Sequence, residues 1–144
     1  MIRLFLALWA CGWIALSGAS RANDVVVETA WALPSADTPG RFDAYVVINN
    51  RSDSVVTLVA VDSPLAAQVR VLSRVGTEIS PEIPIHAELF MAPGGVSIAL
   101  DEVVLDSAQS IPIEIVLSGN LRTLVHAQVL TPEAPRPDHN DLEH

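Results

Sequence analysis

IPIEIVLSGNLRTLVHAQVL, residues 111–130, holds two apolar runs on either side of Ser118-Gly119-Asn120. In the first run Ile111, Ile113 and Ile115 recur at every second position, with Glu114 between them. A period of two puts the isoleucines on one face of a strand, inward, and Glu114 on the other. Ser-Gly-Asn is turn chemistry, and the run after it is a second strand.

The same grammar extends backwards through the chain. DVVVETAWAL (24–33), FDAYVVINN (42–50), SVVTLVAV (54–61), AQVRVLSRVG (67–76), AELFM (87–91) and VSIAL (96–100) are short and rich in Val, Ile, Leu and Thr. PSADTPG, NNRSDS, PGG and DSAQS separate them with Gly, Pro, Asn, Asp and Ser. Strands at a spacing of roughly 8–12 residues predict an all-β fold, an antiparallel sandwich or barrel. Trp31, Tyr45, Ile48, Val69, Val71, Ile113 and Ile115 are the expected core. No helix and no repeat of fixed period is read.

The two ends of the chain differ from this middle. Residues 1–22 have a short basic start, an apolar run LFLALWACGWIAL too short to span a bilayer comfortably, and Ser20-Arg21-Ala22 as a cleavage site. They read as a secretory signal peptide, so the folded domain is 23–130 and the chain is expected to be exported, with no stable membrane insertion after cleavage. Cys11, the one cysteine, lies in the signal. Leu8 and Ala10 suit a lipoprotein box at that cysteine, but bulky Trp9 and the short run before it favour ordinary cleavage. Residues 131–144, TPEAPRPDHNDLEH, combine three prolines with mixed charge and are expected to be a disordered acidic tail.

Composition excludes some partners. The net charge is −9, and every basic residue is arginine. Such a chain cannot neutralise phosphates, so nucleic acid and anionic membrane surfaces are not expected partners.

Catalytic sets are missing too. There is no G-x-S-x-G, P-loop, H-E-x-x-H or cysteine site, so no enzyme is expected. His126 shares a strand face with Arg122 and Gln128 and reads as solvated, while His86 and Met91 are spaced badly for joint ligation. In the tail, Asp138, His139, Asp141 and His144 lie close together and could bind a divalent copper, nickel or zinc ion with modest affinity.

The order of the strands resembles the periplasmic copper chaperones called PCu(A)C. Ala30-Trp31 opens the pattern. Ala44-Tyr45, Ile48 and Asn50 continue it, followed by Leu58, Val59, Ser63, Pro64, Ala66 and Val69. Downstream, Ile83, Pro84, Pro93, Gly94 and Gly95 fall in place, and IPIEIVL matches a later strand. The resemblance covers about residues 25–130. It implies a Greek-key β-sandwich of the cupredoxin-like kind, copper(I) held by two histidines and two methionines, and delivery of the metal during cytochrome oxidase assembly. Thioether and imidazole suit soft, exchangeable copper(I).

Against that pattern, AQVRVLSR raises a question. Alternation puts Leu72 between Arg70 and Arg74 on what should be the polar, ligand-bearing face. Where the family has Val-x-Leu-His-x-Met, Leu72 takes the histidine position and Arg74 that of a methionine. After Pro93-Gly94-Gly95, Ser97 and Ala99 take those of the second histidine and a methionine. GTEISPE (76–82) has no methionine, and Met91 aligns with a core leucine. The resemblance therefore implies a family scaffold with its copper ligands replaced. No resident cofactor is expected. Copper is the metal to test, and the expected partner is a periplasmic or membrane-anchored protein. The alternative is a metal-free, immunoglobulin-like interaction module of the cell envelope.

Overall fold

In a computed structural model of the chain, the described residues are 24–105 and 109–131. Residues 1–23, which include the expected signal peptide, and residues 132–144 of the expected tail, with His139, His144, Asp138 and Asp141, lie outside them. The described residues contain no helix. Nine strands follow in order: β1 (Val25–Pro34), β2 (Phe42–Asn50), β3 (Val56–Asp62), β4 (Gln68–Leu72), β5 (Glu82–Ile83), β6 (Ala87–Phe90), β7 (Ser97–Asp101), β8 (Ser110–Leu117) and β9 (Leu121–Val129).

The hydrogen-bonded path runs β4-β7-β2-β1-β9-β8-β3-β5, with β6 on β2, in one curled, cupredoxin-like sheet. The curl brings β3 against β4, so the two halves pack as a sandwich. Among the described strands every pair is antiparallel except β1–β9, which is parallel and holds only Trp31–Gln128 and Ala32–Val129. The mostly antiparallel sandwich expected from the sequence is present, and this one parallel junction joins its first strand to its last.

Alternation in β8 is complete: Ile111, Ile113, Ile115 and Leu117 are buried, and the residues between them are half-buried. Pro112 sits opposite His126 but beyond the last β8–β3 pair, Asp62–Glu114, so its missing N–H falls where β8 has one neighbour. Glu114 faces outward and accepts a hydrogen bond from Arg122 on β9 at 2.6 Å.

The core joins Trp31, Tyr45, Ile48, Val71, Ile113 and Ile115, as expected, with Met91 fully buried among them. Val69 is the exception. It is half-buried and packs on the margin, because β4 ends the hydrogen-bonded path. The Trp31 and Tyr45 rings lie 5.3 Å apart, tilted by 34°. Such a pair adds about 0.5–1.5 kcal/mol beyond area burial.

The strand expected over 67–76 stops at Leu72. A turn replaces its second half: Ser73 N donates to Thr77 O at 2.7 Å, and Gly76 N to Ser73 O at 2.9 Å. Gly76 takes φ 85°, a conformation that glycine adopts without a Cβ penalty. Arg74 and Val75 are thus exposed at a tip.

Asn50, fully buried at the end of β2, fixes two loops. Its Nδ2 donates to the carbonyls of Ser54 (2.8 Å), Ile83 and Pro84 (both 3.1 Å), and its Oδ1 accepts from the N–H and hydroxyl of Ser52. The buried amide is satisfied on both sides, as burial demands.

Candidate functional site

The β4–β7 register sets Leu72 opposite Ser97, Arg70 opposite Ala99 and Gln68 opposite Asp101. On the other side of β7, Asp43 of β2 is opposite Ala99. Since these positions alternate in step, Gln68, Arg70, Leu72, Ser97, Ala99, Asp101 and Asp43 share one face of the sheet. Tyr45 lies two residues past Asp43 on that face, with Trp31 opposite it. The three positions that the sequence comparison singled out are therefore neighbours: Leu72 and Ser97 as a direct cross-strand pair, and Ala99 one step along the same strand face.

At Leu72 and Ala99 the face is not the exposed polar surface that alternation suggested. Leu72 is 7% exposed and Ala99 fully buried. Neighbouring side chains cover them, and the same face carries the buried Trp31 and Tyr45. Arg74 does not flank Leu72 on a strand; it belongs to the exposed turn.

Beside this apolar patch lie two ion pairs that the sequence reading did not assemble. Arg70 Nη2 donates to Asp101 Oδ2 at 3.0 Å, and Arg41 Nη2 donates to Asp43 Oδ1 at 3.2 Å. All four side chains are about one-quarter to one-third exposed. Both arginine Nε atoms are buried without an acceptor among the described residues. The one local signal was Arg41-x-Asp43, whose spacing of two puts both on one face; the Arg70–Asp101 partnership is long-range.

Chemically the face offers an isobutyl group, a hydroxyl and a methyl where a soft metal wants imidazole and thioether. The two guanidinium groups beside it are each paired with a carboxylate, so they add no net charge and no soft donor. Other donors are scattered. Met91 is in the core, His126 is on the exposed side of β9, and His86 pairs with Asp53 at 3.1 Å in an exposed corner. Among the described residues no group of three or more His, Cys, Asp or Glu could hold a metal ion.

No protein-family model matches the chain, and no curated protein sequence is significantly similar to it. Solved structures do match. A copper-bound PCuAC domain from PmoF2 superposes with a TM-score of 0.66 at 19% identity, over 76% of this chain and 94% of that one. An apo PCuAC domain from PmoF1 gives 0.67 at 22%, over 76% and 95%. The copper(I) form of DR1885 from Deinococcus radiodurans gives 0.63 at 21%, over 83% and 87%. The fold of this chain is that of PCuAC domains. The strand order read from the sequence had pointed to that scaffold.

Proposed function

We propose that this chain is a secreted, periplasmic relative of the PCuAC copper chaperones whose usual copper(I) ligands are replaced. In this reading residues 1–22 are removed, and the domain serves copper-site assembly, that of cytochrome oxidase by resemblance, through contact with a partner protein. It is a binding protein and not an enzyme. The observation that carries the reading is the cross-strand pair of Leu72 and Ser97 beside Ala99, on a sheet face shared by an otherwise PCuAC-like fold. The arrangement juxtaposes the positions singled out by the resemblance, and their side chains include no soft donor.

The test is copper(I) titration of residues 23–144 and 23–130 in competition with a copper(I) chelator. The short form is expected to leave copper on the chelator. Binding confined to the long form assigns it to Asp138, His139, Asp141 and His144. Tight binding by the short form overturns the reading. The alternative, a metal-free envelope interaction module, draws support from the two ion pairs that fill the face. It is favoured if the partners recovered with the domain include no copper-handling protein.

A further inference from the structure

The sheet closes on itself through one short segment. β3 and β4 lie against each other, yet no backbone hydrogen bond joins them among the described residues. Residues 77–83 run between them and change partner on the way. Glu78 bridges Leu72, and Ile79 N donates to Val71 O at 3.0 Å, so the first half lies on β4. Pro81 O accepts from Leu58 N at 2.9 Å, and Glu82 and Ile83 pair with Thr57 and Val56, so the second half lies on β3. Beyond these contacts, residues 60–62 pair with β8 alone and residues 68–70 with β7 alone. Two unpaired strand edges therefore face each other beside the segment, across a cavity of about 130 Å³ whose walls include Val61, Val69, Val71 and Ile79.

The segment is fixed at its ends and lightly held between them. Gly76, at φ 85°, makes the turn before it, and fully buried Ile83 anchors it after. Of residues 77–81 only Ile79 packs against the core, while Thr77, Glu78 and Ser80 are exposed. Stretches with few buried apolar contacts and exposed backbone hydrogen bonds open locally, at less cost than unfolding the whole domain. The same stretch covers Leu72. The bonds Ser73 N to Thr77 O and Ile79 N to Val71 O flank the Leu72–Glu78 bridge. That pattern marks a non-hydrogen-bonded antiparallel pair, in which the two side chains lie closest.

We propose that residues 77–81 are a strap that opens as a unit, about Gly76 and Ile83, while the rest of the sheet stays folded. Opening bares the β3 and β4 edges and removes the neighbour on one side of Leu72. Uncovered strand edges pair with extended segments of other chains, and a strap across them confines such pairing to the open state. The proposal is independent of whether the neighbouring face binds copper.

The experiment is native-state amide exchange, followed by NMR on the ¹⁵N-labelled chain without residues 1–22. One opening frees the N–H groups of both Ile79 and Leu58, which lie on different elements. Corrected for intrinsic rates, both are expected to exchange at least about 100-fold faster than Ile48 on β2 and Ile115 on β8. Their protection should match, and should depend only weakly on urea, since little surface is exposed. A reversible lock tests the motion itself. Leu72→Cys with Glu78→Cys puts two cysteines at a pair whose Cα atoms are about 4.5 Å apart, within disulfide range. Oxidation should slow both amides at least about tenfold, and reduction should restore them. Protection of Ile79 and Leu58 equal to that of Ile48 and Ile115 overturns the proposal. So does fast exchange at Ile79 with Leu58 exchanging only as the core does, or exchange indifferent to the lock in a folded, oxidised variant.

Discussion

Arg70 lies directly across the β4–β7 ladder from Ala99, yet its guanidinium reaches diagonally to Asp101 at 3.0 Å. The small residue opposite leaves the diagonal open, and the ion pair spans it. Removing one partner leaves the other charge partly buried and alone. Arg70→Met and Asp101→Asn should each destabilise the domain by about 1 kcal/mol, while the double variant costs less than their sum. Urea denaturation of the four-member cycle measures the coupling, expected at about 0.5–1 kcal/mol. Strictly additive losses would mean that the pair contributes nothing.

The register makes a rescue of metal binding specific. Leu72 and Ser97 are directly opposed, and side chains so placed have Cβ atoms about 4.5–5.5 Å apart, suited to sharing one ion. Leu72→His with Ser97→His should therefore gain copper(I) affinity over the parent domain in chelator competition. Adding Ala99→Met supplies a thioether, but Ala99 is fully buried between Arg70 and Asp43, so overpacking should cost about 1–3 kcal/mol. Arg74→Met, in a second variant, removes a positive charge at the exposed turn. No gain from the folded double-histidine variant would argue that these positions do not correspond to the family's ligands.

Asn50 should be the most sensitive polar residue. Its amide joins three carbonyls and one serine from two loops, and two of those carbonyls have a second donor: Ser54 O accepts from the Ser52 hydroxyl and Pro84 O from Ala87 N. Asn50→Ala is expected to cost about 2 kcal/mol, since the buried link between the two loops is lost. Amide exchange should accelerate first at residues 51–55 and 83–86. A loss below about 1 kcal/mol would show that water replaces the amide at this site.

Gly76 tests the turn that ends β4. A Cβ built there meets nothing within 4 Å, so only its φ of 85° penalises a side chain. Gly76→Ala should lower stability by about 1 kcal/mol, and Gly76→Asn by less, because asparagine tolerates the left-handed region. Thermal unfolding of both variants checks the order.

Much of this architecture was legible in the one-dimensional pattern. The strand runs read at 42–50, 111–117 and 121–130 coincide with β2, β8 and β9 to within a residue, because alternation and turn residues act locally. Leu72, Ser97 and Ala99 come together only through the β4–β7 register, a long-range pairing. The buried state of Leu72 was not legible. Its neighbours are Ser97 across on β7 and the returning turn at Glu78, and spacing along β4 alone said polar. The Arg70–Asp101 and Arg41–Asp43 pairs were hidden for the same reason: one needs a register between strands, and the other matters only beside it. β5, two residues long, is too short to carry a period.

The two-residue contact between β1 and β9 has a consequence for how the chain reaches this shape. Trp31 meets Gln128, so the seam that joins the halves of the sheet needs nearly the last described residues. A chain emerging N-terminus first, from a ribosome or through a narrow pore, can pair β1 with β2 at once. It cannot seal the seam until β9 has come through. Contacts so distant in sequence form slowly. The order of arrival thus keeps the domain open in transit and closes it in one late step, with the C-terminal strand as the trigger.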